Sequence, residues 1–140
     1  MLEFRPLVKT NLNLLNRFLM NLGSGSVTFR YFDKRPVEVV LKHLYATILL
    51  NGQVPVAYGH LEREEDDLWL GVAVAEAYQG MGFGKQIVQH LIDFARMQRE
   101  STISLSVDKE NCKAIHLYET LGFIQVSERS HCYKYKYFIN

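Results

Sequence analysis

Gln79-Gly80-Met81-Gly82-Phe83-Gly84-Lys85 is the stretch whose reading decides the fold. It follows an apolar run, Leu68-Trp69-Leu70-Gly71-Val72-Ala73-Val74-Ala75, that reads as a buried strand. It precedes an amphipathic run from Lys85 to Met97 that reads as a helix. A glycine-rich turn between strand and helix leaves backbone N–H groups unpaired and pointing one way. The positive end of the helix dipole lies behind them, so the turn can cradle phosphate oxygens. Gly80, Gly82 and Gly84 let the backbone approach such a ligand without Cβ atoms in between. The expected ligand therefore carries phosphate.

Spacing narrows the choice. A P-loop needs glycine, four residues, then Gly-Lys-Ser/Thr, but Gln79 stands at the first glycine and Gln86 follows Lys85. A dinucleotide fingerprint needs G-x-G-x-x-G with an acid after the next strand. Here the pattern is G-x-G-x-G, and the next strand ends Ser106-Val107-Asp108 after a different spacing. Downstream, Asn111-Cys112-Lys113-Ala114-Ile115-His116-Leu117-Tyr118-Glu119-Thr120-Leu121-Gly122-Phe123 opens on an N-cap residue and closes on glycine, the marks of a short helix. Ala114, Ile115, Tyr118 and Leu121 recur at helical spacing, so Tyr118 shares their face, as a core aromatic with a wet hydroxyl would.

The first stretch, Gln-x-x-Gly-x-Gly with Lys85 opening the helix, resembles the acetyl-CoA pyrophosphate loop of the GNAT acyl-CoA N-acyltransferases. The second, Asn-x-x-Ala-Ile-x-x-Tyr-x-x-x-Gly-Phe, resembles that superfamily's second motif, and the two come in the family's order. The resemblance implies one GNAT domain over residues 1–140, an α/β fold with a mixed sheet and the order βααβββαβαββ. It implies an N-acetyltransferase with acetyl-CoA as co-substrate and no metal. Main-chain groups of Val72, Ala73 and Val74 would hold pantetheine and the acetyl carbonyl. Gln79, Gly80, Met81, Gly82, Phe83, Gly84 and Lys85 would hold the pyrophosphate, and Asn111 would touch the pantetheine arm. Tyr118 would protonate the departing thiolate while an amine attacks the thioester directly.

Composition is compatible with this. The chain has 140 residues and a formal charge of +1, enough apolar content for a core and no charge block of the kind that marks nucleic-acid or membrane-surface binding. Cys112 and Cys132 lack metal-ligand spacing and suggest no disulfide framework, which points to a reducing cytoplasm. Met1 to Pro6 lacks the apolar region of a signal peptide, and no stretch is long enough to span a membrane.

The elements follow from periodicity and punctuation. A strand to about Val8 leads into a helix near Asn11 to Leu22, with Leu12, Leu15, Leu19 and Leu22 on one face. Gly23-Ser24-Gly25-Ser26 reads as a loop, and Pro36 as the first turn of a second helix with stripe Val37, Val40, Leu41 and Leu44. Strands Tyr45 to Leu50 and Val54 to Leu61 flank Asn51-Gly52, a two-residue hairpin signal. A further turn in Glu62 to Asp67 leads into the strand before the glycine loop. Thr102 to Val107 reads as a strand, and Phe123 to Ser127 with Cys132 to Phe138 as a closing hairpin.

The amine must shed a proton, so a general base is sought. Alternation places Tyr58, His60 and Glu62 on one strand face. His60 is the first candidate because imidazole titrates in the useful range, and Glu62 is the second. Some family members that acetylate proteins use an acid near the start of the next strand, where this chain reads Asp66-Asp67-Leu68-Trp69. The family's acceptor site draws on the first two helices, their connection and the last hairpin, so Phe29, Arg30, Tyr31 and Glu62 are expected to meet the acceptor. Phe29-Arg30-Tyr31-Phe32 also resembles small acetyltransferases of polysaccharide gene clusters, which implies a small-molecule amine, with amino sugars and their nucleotide conjugates worth testing. A peptide acceptor and a non-catalytic acyl-CoA sensor are the competing readings. Family habit implies a monomer or a homodimer.

Overall fold

The computed structural model describes the backbone of residues 1–140 and every side chain except that of Val27. Seven strands join one sheet in the order β1-β2-β3-β4-β5-β7-β6. They are β1 (Leu2–Pro6), β2 (Tyr45–Asn51), β3 (Val54–Glu64), β4 (Asp67–Val74), β5 (Thr102–Asp108), β6 (Ile124–Glu128) and β7 (Cys132–Phe138). Three α-helices accompany them: α1 (Asn13–Met20), α2 (Phe83–Met97) and α3 (Cys112–Leu121). Every neighbouring pair is antiparallel except β4 and β5, which run parallel.

Local chemistry explains where the elements depart from the sequence reading. The helix expected after Pro36 is only a 3₁₀ segment, Val37–Lys42. Pro36 and His43 on either side are both extended, so only a short segment is left, too short to repay helix nucleation. Its valines at 37, 39 and 40 are poor helix formers, and of its stripe Val40 is buried while Leu41 and Leu44 are exposed. The first helix begins at Asn13 because Asn11 serves the preceding turn: its side chain accepts from Val8 N–H at 2.8 Å and donates to Pro6 O at 3.0 Å. In the β2–β3 hairpin Asn51 pairs with Val54, so the two turn residues are Gly52 and Gln53, one step beyond the expected pair, with Gly52 at φ 64°. Glycine at the first central position suits that turn. The run Gly23–Val27, expected as a loop, winds as a 3₁₀ segment.

Alternation sorts the sheet into two faces. One face of the sheet, with Leu61, Leu70 and Leu105, packs under α2 and α3 through Ile87, Leu91 and Tyr118. The opposite face, with Ile48, Tyr58 and Ala73, packs under α1 through Leu15 and Phe18, with Leu22 just beyond the helix end. This second core is small, and Phe18, fully buried and 6.3 Å ring to ring from Tyr58, fills much of it. Phe18→Ala is expected to destabilise the protein by about 3–5 kcal/mol, read from urea unfolding.

Candidate active site

The parallel pair is where the site begins. β4 and β5 are bridged only at Trp69 and Ser104. Beyond that point Leu70–Val74 and Leu105–Asp108 diverge, and main-chain groups that a full ladder would use line a cleft of about 610 Å³. Val72, Ala73 and Val74 form one wall, and Ser106, Val107 and Asp108 the other.

The glycine turn closes one end. Gly80 and Gly82 stand at φ 79° and 84°, a region that side chains with a Cβ avoid, and Gly82 is the residue from which α2 starts. The first backbone bond of the helix is Gln86 N–H to Gly82 O, so the N–H groups of Phe83, Gly84 and Lys85 have no partner within the helix. Those groups and the helix dipole make an anion cradle at the mouth of the cleft. Gln79 holds the turn to the strand through Nε2 donating to Val74 O at 3.4 Å.

Most of the expected donor-site residues come together here. Val72, Ala73, Val74, Gln79, Gly80, Gly82, Phe83, Gly84 and Asn111 all line the cleft. Met81 and Lys85 do not: Met81 is 60 % exposed, and Lys85 lines a separate shallow depression with Phe4 and His90. The lysine's direction follows from helical geometry, because α2 opens at Phe83 rather than at Lys85 and turns that side chain away, while Met81 lies in the turn before the helix. Asn111 caps α3 by accepting from Ala114 N–H at 3.3 Å, so its side-chain oxygen is committed and its amide N–H groups remain for a ligand.

Tyr118 also lines the cleft. It packs 5.6 Å ring to ring from Phe123, is 9 % exposed, and its hydroxyl meets no hydrogen-bonding group among the described residues. Burial pushes its phenol up to about 12, with no charged neighbour contributing. The group is thus held protonated, with its proton free to be donated to a ligand.

The expected acceptor residues divide. Phe29 and Arg30 line the cleft, and Arg30 reaches across it to Asp108 at 3.4 Å. Tyr31, Glu62 and His60 do not line it. They form an adjoining cluster in which Tyr31 Oη donates to Glu62 Oε1 at 2.8 Å and lies 3.1 Å from His43 Nε2. His60, expected as the general base, is 2 % exposed and lies 2.6 Å by Nδ1 from Tyr58 Oη. Burial first, then the neighbouring His43 and Arg35, lowers its pKa to about 3. Burial also lowers His43 and raises Tyr31. An imidazole so weakly basic is poorly matched to proton removal at neutral pH. Burial, which the alternation pattern could not show, is the reason.

Sequence reasoning missed Ser24, Gly25 and Thr28, which reach the cleft from the Gly/Ser run. The signal lies far away in sequence: Ser24 N–H donates to Glu76 Oε1 at 3.3 Å, and Glu76 N–H to Leu22 O at 3.1 Å, tying the run to the end of β4. Ser106 and Asp108 were missed as wall residues, although β5 was expected at the right place.

A cleft between parting parallel strands, closed by a glycine turn and faced by a buried tyrosine, is the arrangement the two motifs implied. The profile of the acetyltransferase (GNAT) family matches residues 18–123. The chain belongs to this family. The GNAT fold is shared across the whole chain with solved structures of low sequence identity. The GNAT domain of S. lividans PAT has a TM-score of 0.85 at 18% identity, covering 97% of this chain and 89% of that one. The paiA N-acetyltransferase of Thermoplasma acidophilum, solved in complex with coenzyme A, has a TM-score of 0.81 at 13% identity and covers 99% of each chain. Among sequence relatives, the ribosomal protein bS18-alanine N-acetyltransferase of Escherichia coli K12 is 39% identical over 62 residues. That match spans 44% of this chain and 42% of the relative, less than half of either protein. No helix is long and apolar enough to cross a membrane.

A Cβ at Gly82 would touch nothing within 4 Å, so replacing this glycine tests backbone conformation alone. Gly82→Ala is expected to strain the turn by about 1–2 kcal/mol and to weaken coenzyme A binding about tenfold, measured by calorimetry.

Proposed function

We propose that the protein transfers the acetyl group of acetyl-CoA to the primary amine of a small molecule, by direct attack within a ternary complex. The observation that carries this reading is the single bridge at Trp69 and Ser104, beyond which β4 and β5 open around a cleft that Tyr118 faces. Pantetheine lies between the strands and bonds to main-chain groups of Val72 to Val74. Its pyrophosphate sits on the N–H groups at the start of α2, and Asn111 donates to the arm. As the amine attacks the thioester carbon, the C–S bond breaks and Tyr118 gives its proton to the leaving sulfur. Holding both substrates in line supplies much of the remaining acceleration.

His60 and Glu62 stand beside the acceptor end, behind Gly71. With His60 buried and weakly basic, the amine's proton passes to solvent. The acceptor is read as small because the Arg30–Asp108 ion pair bridges the cleft. A protein N-terminus is the second reading, favoured by the likeness to the E. coli ribosomal-protein enzyme.

Release of CoA thiol from acetyl-CoA over amino sugars, their nucleotide conjugates, polyamines, amino acids and alanine-terminated peptides tests the proposal. Turnover on small amines supports it, and turnover confined to peptides replaces it with the second reading. Tyr118→Phe is expected to lower kcat about 10²–10⁴-fold while leaving acetyl-CoA affinity nearly unchanged. With solvent taking the proton, kcat/KM should rise with pH until the acceptor amine is itself deprotonated. It should then stay level, because Tyr118 loses its proton only near pH 12.

A further inference from the structure

The cluster beside the cleft gathers three side chains of metal-ligating chemistry. His43, His60 and Glu62 each offer one ligand atom, and those atoms lie within 4.8 Å of one another. Tyr31 Oη stands between two of them, 2.8 Å from Glu62 Oε1 and 3.1 Å from His43 Nε2, and would be displaced by an ion or join its ligands. The third, His60, is 2 % exposed, and Tyr58 engages its Nδ1 at 2.6 Å. The other ring nitrogen, Nε2, makes no hydrogen bond among the described residues. A buried imidazole with one nitrogen oriented by a neighbour and the other left open is the usual state of a metal-ligating histidine.

The geometry points to a divalent transition-metal site, of the zinc class, formed by His43, His60 and Glu62 with Tyr31 beside it. Two imidazoles and a carboxylate are a donor set that zinc accepts with a further position left for water or another ligand. Tetrahedral zinc asks for ligand atoms about 3.3 Å apart. Binding would draw the half-buried His43 and Glu62 side chains inward to close the difference, while His60 is already fixed by Tyr58 and by its packing on Tyr31 and His43 at 4.6 and 4.7 Å between rings.

The strand opposite is built around this cluster. Gly71 pairs with His60, and a Cβ on Gly71 would lie 2.4 Å from His60 Nε2. Gly71 also lines the cleft. The ion would therefore sit against the cleft wall on the acceptor side, apart from the glycine turn. Its presence does not depend on the acetyl-transfer reading, and neither does its test.

The purified protein, stripped with chelator, is titrated with Zn²⁺ against a chromogenic chelator and, separately, with Co²⁺ as a visible probe. The expected result is one equivalent bound, with a Co²⁺ ligand-field spectrum typical of nitrogen and oxygen donors. His43→Gln and Glu62→Gln each lose at least tenfold in affinity, and Tyr58→Phe, which frees the His60 ring, loses about 10–100-fold. Melting curves of the metal-free variants confirm that they are folded, and Zn²⁺ raises the melting temperature of the unaltered protein more than theirs. Three results overturn the site: no binding, affinity unchanged in the variants, or a thiolate charge-transfer band placing the metal on Cys112 or Cys132.

Discussion

The parting of β4 from β5 is the constraint on which the rest of this structure depends. A parallel pair inside a sheet ordinarily satisfies its main-chain groups along the whole ladder. Here a single bridge between Trp69 and Ser104 is followed by separation, so both strands expose backbone donors and acceptors toward one gap. The sheet tolerates this because each strand is anchored on its other side. β4 pairs with β3 from Asp67 to Val74, and β5 pairs with β7 from Thr102 to Asp108. The two antiparallel blocks act as stiff wings, and the gap between them becomes the binding cleft.

The two cores keep the wings at that angle. α2 and α3 cover one face and hold the glycine turn and Tyr118 at the cleft. α1 covers the other face over β2 and β3 and leaves the polar face of β5 and β7 without a helix. On that face Ser104 donates to Asp67 at 2.8 Å, and Lys134 and Lys136 approach the same carboxylate at 3.1 and 3.5 Å. The Ser104 hydrogen bond first, then Lys134, holds the Asp67 carboxyl below the usual range. This polar strip locks β4 to the β5–β7 block at the point where the parallel ladder ends. The segment after α1 then arches over the cleft, held by Glu76 and by the Arg30–Asp108 contact.

Catalytic economy follows from the same arrangement. In the proposed reading main-chain groups do most of the donor binding, so few chemically special side chains are needed in the cleft. Tyr118 is held protonated by burial alone. The titratable residues that sequence alternation brought together, His60 and Glu62, are diverted into a partly buried cluster with His43, Tyr31 and Tyr58. There Tyr31 Oη hydrogen-bonds Glu62 and His43, and Tyr58 Oη lies 2.6 Å from His60 Nδ1.

Much of this was legible in the sequence. The strand, glycine turn and helix from Leu68 to Met97 are specified by local rules: an apolar run, glycines where φ is positive, and a wide apolar helix face. The capped helix carrying Tyr118 is equally local, since Asn111 and Gly122 mark its ends. The β2–β3 and β6–β7 turns fell within one residue of their observed places for the same reason, whereas β3 runs to Glu64, three residues past its expected end. Only the tertiary structure decided that Val37–Lys42 would not complete an α-helix, because its neighbours on both sides are drawn out into extended chain. It alone decided that Lys85 faces away from the cleft, that Ser24 and Thr28 reach it, and that His60 is buried too deeply to serve readily as a base. Those outcomes depend on which distant segments come to lie against one another. Periodicity along the chain records which face a residue takes, but not what covers that face.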